Sequence, residues 1–294
     1  MPFSPDSDRV LVRGARGWFG RELLSILLKR QVPYLALGST SSSYNLGTNE
    51  IKVFSDSLSV ARQFRPNWFF DFAHMTMDRQ ANFDPPDFLE INKRINEMGL
   101  SYLSIPEIKY AVFTSSGAAV RSDANPYFDT PYGQSKRVQE QLVLDQSSKF
   151  PVRVAILRPW SVTGTFCQRP LDYAFSNIAT QALQSRIVLK NAGPVIRRYI
   201  SVSDFLTVGS ELLIGKNENL FLDSGGDLVS LHELAKIFSQ LTGAEIAKIT
   251  HQEKNANYYF SSNEQWLRAV SEVDFKPMSI IDQAETYLSN FRSP

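Results

Sequence analysis

A tyrosine and a lysine stand four residues apart in the stretch "PYGQSK", where Tyr132 and Lys136 begin a helical pattern. Residues at i and i+4 share one face of a helix, so the ammonium group lies near the phenol. A phenol ionises at about pH 10, and a neighbouring cation stabilises its anion. The pair is therefore suited to proton exchange with a substrate. The same spacing also occurs on ordinary helix surfaces. The pair therefore predicts either an acid–base site or an exposed helical turn.

A glycine-rich loop joins the first predicted strand, "RVLVRG", to the helical stretch "ELLSILLKRQ". In a strand–loop–helix unit, glycines permit a tight turn, a close backbone approach to a pyrophosphate, and close packing of helix on strand. This context favours dinucleotide binding over a simple turn. The loop residues predicted to bind the dinucleotide are Gly14, Arg16, Gly17, Trp18, Phe19 and Gly20.

The end of the second predicted strand bears on which dinucleotide is bound. NAD-binding folds commonly place an acidic residue there, which accepts hydrogen bonds from the ribose hydroxyls. Here the strand ends at Gly38 and Ser39, and the first acidic residue is Glu50. Arg16, with Arg13 as a further candidate, supplies positive charge for a 2′-phosphate. We therefore predict NADP in preference to NAD, with Ser39 at the site.

Apolar strands alternate with helices through the first half of the chain. The predicted strands include "VPYLALGS", "IKVF", "NWFFDFAH", "YAVFTSS" and "RVAILRP", and "TSSSYNLGTNE" is predicted to be a polar loop. Asp56, after "IKVF", is interpreted either as a helix cap or as a partner of the adenine amine. This alternation predicts an α/β fold, a Rossmann-type doubly wound parallel sheet with a smaller mixed C-terminal cap.

The pattern loosens beyond Pro159, where helices and short strands are interleaved. Residues 1–165 plus about 196–222 are predicted to form the dinucleotide-binding domain. Residues from about 166 to 195, plus 223–294, are predicted to form the substrate-binding domain. In the second part, "AKITHQ" is predicted to be a short strand.

The amino-acid composition argues against several classes of function. Lys plus Arg (31) nearly balances Asp plus Glu (30), so we expect no nucleic-acid partner. Cys167 is the single cysteine, and the three histidines lack ligand-like spacing, so we expect neither a disulfide nor a metal. No apolar run is long enough to cross a membrane and no secretory signal is evident, which predicts a cytoplasmic protein.

The order of these motifs resembles that of the extended short-chain dehydrogenase/reductase family of nucleotide-sugar epimerases, dehydratases and reductases. "FTSSGAAV" looks like the family's "FSSSxxVYG", "PYGQSK" its Tyr-x-x-x-Lys, and "ILRPWSVTGT" its "ILRPFNVYGP". "RRYISVSDF" is similar to "RDFIHVDDV", and "FLDSGGDLVSLHELA" to "YNVGSGEPVSLRELA". The resemblance covers nearly the whole chain and implies an NAD(P)-dependent enzyme in which Tyr132 and Lys136 act at the cofactor.

The same resemblance assigns further roles. Ser116 corresponds to the catalytic serine, and Ser115 is expected near the nicotinamide. Asn177 and Arg197 are expected to contact the diphosphate of a nucleotide-sugar substrate.

The resemblance also implies a homodimer formed by the long helices around 90–100 and 132–146. Leu142 and Val143 are expected on its shared face.

Departures from the family pattern indicate which of the family's reactions to expect. Gly117 and Ala118 stand where dehydratases carry two acidic residues, which disfavours dehydration. Asp71 replaces the family's histidine and is interpreted as structural or catalytic, and His74 as a core histidine or a functional one. The segment that usually carries a second phosphate-binding arginine corresponds here to "KNANYY", in which Lys254 is the one cation.

These features predict a reductase that uses NADPH to reduce a nucleotide-linked 4-keto-6-deoxysugar. A nucleotide-sugar 4-epimerase with tightly bound NAD is the alternative, because epimerisation uses the same serine, tyrosine and lysine. A non-catalytic NADP-sensing regulator is disfavoured, since a sensor has no need of a proton relay.

Overall fold

The computed structural model describes residues 2–123, 125–189, 194–247 and 257–292. The strands, in chain order, are β1 (Val10–Arg13), β2 (Tyr34–Gly38), β3 (Ser42–Leu46), β4 (Asn49–Ser55), β5 (Trp68–Asp71), β6 (Tyr110–Thr114), β7 (Arg153–Arg158), β8 (Ser161–Thr163), β9 (Arg186–Ile187), β10 (Val195–Ser201), β11 (Leu220–Asp223), β12 (Asp227–Ser230), β13 (Glu245–Ile246) and β14 (Asn257–Tyr259). The α-helices are α1 (Trp18–Lys29), α2 (Leu58–Phe64), α3 (Met77–Gln80), α4 (Pro85–Ser101), α5 (Pro131–Ser147), α6 (Ala174–Leu183), α7 (Val202–Gly215), α8 (Leu231–Thr242), α9 (Glu264–Glu272) and α10 (Ile280–Arg292).

The large sheet has eight strands in the order β11-β7-β6-β5-β1-β2-β4-β3. All neighbours pair in parallel except β3 and β4, which are antiparallel. Residues of β1 alternate between the two faces: Val10 and Val12 belong to one buried cluster and Leu11 to the other. Helices α1, α7 and α9 cover the first face, and α2, α4 and α5 the second. The predicted Rossmann-type sheet is confirmed.

The predicted polar loop after β2 is wrong. Its serine-rich sequence forms the hairpin β3–β4, paired from Ser42↔Val53 to Leu46↔Asn49. Gly47 turns the chain with a φ of +62°. Because β3 is an edge strand with mostly exposed side chains, its sequence lacks the apolar alternation that marks a half-buried strand.

A second, smaller sheet has the order β12-β10-β14, and β8 also pairs with β10. The strand β10, predicted with the dinucleotide-binding part, lies in this second sheet, whereas α7 and β11 lie with the large one. A third buried cluster, built on α6, α8 and α10, packs behind the small sheet. The predicted strand "AKITHQ" falls mostly outside the described residues.

Candidate active site

The glycine loop follows β1 and forms a close contact between backbones. Gly14 has a φ of +74°, and a Cβ there would lie 2.8 Å from the backbone nitrogen of Ala73. A Cβ on Gly20 would lie 2.5 Å from the carbonyl oxygen of Gly14. Gly17 is the N-cap of α1. Only glycine fits this turn, which leaves the start of α1 open to an anion.

Trp18 and Phe19 form the first turn of α1, where backbone N–H groups have no carbonyl partner within the helix. Their side chains are engaged elsewhere. The Trp18 ring packs edge-on against Tyr173, 5.1 Å between centroids, and its Nε1 donates to Glu22 at 3.2 Å. The Phe19 ring packs against Phe72 at 5.8 Å. The groups that they leave available to an anion at the start of α1 are therefore their backbone N–H groups.

The guanidinium of Arg16 lies beside the end of β2. Its Nη2 donates to Ser39 Oγ at 3.1 Å, and its Nη1 lies 3.4 Å from Ser42 Oγ. Among the described residues no carboxylate pairs with it. The structure thus brings together Arg16 and Ser39, two residues predicted for the cofactor site, and adds Ser42 of the hairpin.

Arg13, the other predicted cation, does not face this position. It is buried, and it donates to Asp56 at 2.9 Å and to both oxygens of Asp71 at 3.0 and 3.1 Å. Burial opposes its charge, but the two carboxylates outweigh that effect and raise the pKa of Arg13. Asp71 therefore has the donors that a buried carboxylate requires. The alternative that Asp56 caps α2 is wrong, because Ser57 is the N-cap and accepts from the helix.

Ser116 and Tyr132 meet at the carboxyl end of the large sheet. Ser116 follows β6, and Tyr132 is the second residue of α5. Ser116 Oγ accepts from the backbone nitrogen of Ala118 at 3.1 Å, and it lies close enough to the Tyr132 phenol to lower the pKa of that group. Burial raises the pKa of Tyr132 to about 12, although Ser116 opposes the increase. The phenol is therefore neutral and has a proton to give.

Lys136 lies one helical turn after Tyr132, with its Nζ 5.9 Å from the centre of that ring. The Nζ donates to the carbonyl of Thr114 at 2.8 Å and to Gln139 Oε1 at 2.9 Å. Burial lowers the pKa of Lys136 to about 7, and nearby carboxylates oppose that decrease. The pair occupies the buried side of α5, not an exposed turn.

Ser115 was expected near the nicotinamide. Its hydroxyl instead donates to Glu140 of α5 at 2.6 Å. Arg158 of β7 donates two hydrogen bonds to the same carboxylate, from Nε at 2.7 Å and from Nη2 at 2.6 Å. This buried network fixes α5 against β6 and β7, a role that the sequence did not reveal.

His74 lies against the tyrosine–lysine pair. Its Nε2 is 3.0 Å from Ser135 Oγ, and its ring meets the Tyr132 ring edge-on at 5.9 Å. Burial, with the charge of Lys136, holds the pKa of His74 well below its ordinary value. The imidazole is therefore neutral.

The two residues predicted to contact the diphosphate differ in whether their side chains are free to bind it. The Asn177 amide already bonds to the Leu171 carbonyl at 2.8 Å and to Gln181 at 2.6 Å. Arg197 on β10 donates to the carbonyl and side-chain oxygens of Asn257, at 2.9 and 2.8 Å. Among the described ion pairs none involves Arg197, so its charge stays available to a phosphate. Lys254 lies outside the described residues.

Neither residue expected on a dimer face is freely exposed. Val143 is 2% exposed and belongs to the core of the chain, and Leu142 packs against the same cluster. The expectation that Val143 marks a shared face is therefore wrong.

Two aromatic residues at this site were missed from the sequence. The Trp160 ring covers Gly117, where any Cβ would collide with it, so one of the two positions of the missing dehydratase acids has no room for a longer side chain. Tyr259 of β14 also lies near Ser116, and its ring packs against that of Trp160 at 4.9 Å between centroids. No signal in "KNANYY" marks this tyrosine.

Across the part of the chain that the structure describes, no group of His, Cys, Asp and Glu could hold a metal ion. In that same part, no helix has both the length and the apolar character needed to cross a membrane.

Known proteins match this chain over most of its length. The model of the NAD dependent epimerase/dehydratase family matches residues 10–213. The UDP-glucose 4-epimerase of Azospirillum brasilense is 25% identical over 275 residues, covering 82% of this chain and 79% of that protein. MoeE5 in complex with UDP-glucose and NAD has a TM-score of 0.75 at 20% identity, covering 97% and 98% of the two chains. For the UDP-N-acetylglucosamine 4-epimerase of Bacillus cereus the TM-score is 0.76 at 17% identity, with 98% and 100% covered.

The fold is thus that of a dinucleotide-binding enzyme of the short-chain dehydrogenase/reductase type. The chain belongs to the NAD dependent epimerase/dehydratase family, as its motifs predicted.

Proposed function

We propose that this enzyme uses NADPH to reduce the ketone of a nucleotide-linked 4-keto-6-deoxysugar. The observation that carries the cofactor preference is the position of Arg16, which lies at the end of β2 beside Ser39 and Ser42 with no described carboxylate partner. A 2′-phosphate is well matched to an unneutralised guanidinium and serine hydroxyls. The Trp160 ring over Gly117 supports the reductase in another way, because it leaves no space for an acidic side chain at one of the two positions where dehydratases carry one.

The residues present fit a dinucleotide. The glycine turn and the open start of α1 suit its pyrophosphate. A buried Asp56 oxygen without a hydrogen-bond partner is available to the adenine amine. NADPH, when bound, supplies a hydride to the carbonyl carbon of the sugar.

The chain's own residues transfer the proton to the substrate. Ser116 and Tyr132 hold the carbonyl oxygen between their hydroxyls, and Tyr132 transfers its proton to that oxygen as the alcohol forms. The ammonium of Lys136 stabilises the phenolate that remains. Arg197 binds the diphosphate. The Asn177 amide contacts it only after its hydrogen bonds with Leu171 and Gln181 break.

A 4-epimerase is the second candidate, and the similarity to UDP-glucose 4-epimerases favours it. Epimerisation oxidises and re-reduces one carbon with the same serine, tyrosine and lysine. It therefore requires a retained NAD instead of an exchangeable NADPH.

The test begins with any nucleotide that purifies with the protein, followed by binding titrations with NADPH and NADH. We expect exchangeable binding with at least about a tenfold preference for NADPH, or about 1.4 kcal/mol. Arg16→Gln should remove most of this preference and leave NADH binding unchanged. Arg94→Gln serves as the control, because Arg94 is an exposed cation on α4.

Turnover separates the two functions. The reductase consumes NADPH when given a UDP-linked 4-keto-6-deoxyglucose, whereas the epimerase interconverts UDP-glucose and UDP-galactose without added cofactor. Tightly held NAD with no phosphate preference would overturn the reductase proposal and leave the epimerase.

A further inference from the structure

The 165–173 segment, which leads from β8 to α6, lies against the glycine turn and the start of α1. The Gln168 amide donates to the backbone carbonyl of Arg16 in the turn. At the end of the segment, the Tyr173 ring packs edge-on against the Trp18 ring of α1, with 5.1 Å between centroids. The segment is therefore attached to the part of the site that suits a pyrophosphate.

A buried carboxylate holds the beginning of the same segment. Glu22 of α1 is 7% exposed, and its Oε1 accepts from the backbone N–H of Phe166 and from Trp18 Nε1, both at 3.2 Å. A Cβ on Gly164 would collide with this carboxylate. Where the segment leaves β8, it is therefore packed closely on α1.

The middle of the segment is tied to the opposite side of the site by an ion pair. Arg169 Nη1 donates to Asp78 of α3, and it lies 3.9 Å from Asp172 Oδ2 within the segment itself. On the same helix as Asp78, Gln80 accepts from the backbone N–H of Tyr132 at 2.9 Å. The Arg169 side chain is 49% exposed and that of Asp78 is 22% exposed, so the pair can separate without opening the core.

The attachments lie at the two ends of the nicotinamide half of the proposed dinucleotide site. The pyrophosphate is placed at the glycine turn. The nicotinamide has to reach Tyr132, because the hydride and the proton go to the same carbonyl group. A segment that joins the glycine turn to α3 therefore runs along this half of the cofactor.

We propose that the 165–173 segment closes the nicotinamide half of the dinucleotide site, and that the Arg169–Asp78 pair holds it closed and so slows cofactor exchange. Segments that close over a site commonly control how fast a ligand enters and leaves it. The inference rests on the proposed function only in placing a dinucleotide at the glycine turn. It applies to NADPH and to NAD alike.

Exchange kinetics test the role of the pair. Arg169→Gln and Asp78→Asn each remove one charge with little change in side-chain size, and stopped-flow fluorescence of NADPH gives the rates of binding and release. We expect each substitution to raise both rates about fivefold, the upper range for a partly exposed ion pair. The Kd should change less than about twofold, because a pair that only closes the site affects entry and release equally.

The direction of the two effects separates closure from a direct electrostatic contact with the cofactor. If the two charges acted on the cofactor phosphates, Arg169→Gln would speed release and Asp78→Asn would slow it. Loss of a closing pair gives the same change in both variants. The double variant should then match either single one, because the pair is already broken.

The control is Arg94→Gln, which breaks the exposed Arg94–Glu90 pair on α4 and should leave both rates unchanged. Unchanged release in the Arg169 and Asp78 variants, opposite changes in the two, or faster release with unchanged binding would each overturn the inference. NADH that binds as tightly as NADPH overturns only the proposed cofactor preference, and the same rates are then measured with NADH. A protein that binds neither dinucleotide overturns both proposals.

Discussion

At the scale of single residues, burial sets the acidities of the groups that we propose to react. It raises the pKa of Tyr132 to about 12 and lowers that of Lys136 to about 7. His74, beside both, stays neutral because its pKa is held well below the ordinary value. Near neutral pH, Lys136 is therefore the member of this trio whose charge changes.

This difference predicts the pH dependence of ketone reduction. A protonated Lys136 stabilises the phenolate left on Tyr132, and that ammonium is present below about pH 7 and lost above it. We expect kcat/KM for reduction to be level on the acidic side and to fall about tenfold per pH unit above the lysine pKa. Measurement of initial rates across this range at saturating NADPH checks the expectation.

Lys136→Met should be about a hundredfold slower and lack this decline. Lys149→Met, which removes a cation near the end of α5, should keep the wild-type profile. A wild-type rate that is constant through pH 7 would contradict the assignment.

The sequence indicates single residues of the candidate site only where a motif carries them. The glycine turn, Arg16 with Ser39, and the serine–tyrosine–lysine set were all indicated by motif and spacing. The partners of Ser115 and the approach of Tyr259 were not, because each depends on a contact between residues distant in sequence. Such contacts are determined by packing between elements, which a local pattern does not record.

At the scale of elements, the contact between α1 and β1 positions the dinucleotide site. Gly20 allows the helix to lie directly on the glycine turn. Gly20→Ala would place a methyl group 2.5 Å from the Gly14 carbonyl and 2.7 Å from the Ala15 Cα, and backbone atoms cannot rotate away. We expect a loss of about 2 kcal/mol in the free energy of unfolding, together with weaker dinucleotide binding.

Urea unfolding and a binding titration on the same samples measure both effects. Gly215→Ala is the comparison, because no atom lies within 4 Å of its added methyl group. Its free energy of unfolding should stay within about 0.5 kcal/mol of wild type. Equal stability of the two variants would show that α1 is free to move away from the turn.

Strands buried on both faces were predictable from sequence, whereas short and partly exposed ones were not. The strands buried on both faces of the large sheet are apolar runs, and α4 and α7 show helical patterns. The strands β8, β9, β12, β13 and β14 have only two to four residues each, too few for an alternating pattern. The hairpin strand β3 was missed because its exposed serines resemble a loop.

At the scale of the whole molecule, the C-terminal region shares a core with the N-terminal region. Trp266 of α9 is 2% exposed and meets Phe205 of α7 at 5.9 Å between ring centroids. Both belong to the buried cluster that contains Leu23 and Leu27 of α1. Residues more than two hundred positions apart are therefore buried together.

This shared core predicts one cooperative unfolding transition. Trp266→Ala should cost about 3 to 5 kcal/mol and lower the unfolding midpoint equally by far-UV and near-UV circular dichroism. Leu267→Ala, at a neighbouring position that is 56% exposed, should change the midpoint little. Two separate transitions, only one of them shifted by Trp266→Ala, would indicate that the regions unfold independently.

The β3–β4 hairpin also affects how separate molecules meet. It closes one end of the large sheet with a short antiparallel strand whose Ser42, Ser43 and Asn45 side chains face solvent. An uncovered β4, seven residues long with Phe54 exposed, would offer a longer row of free N–H and C=O groups to a strand of another molecule. Edges that are short and polar are poor templates for such pairing. The serine-rich tract therefore protects the enzyme against strand-mediated aggregation when it is crowded with copies of itself.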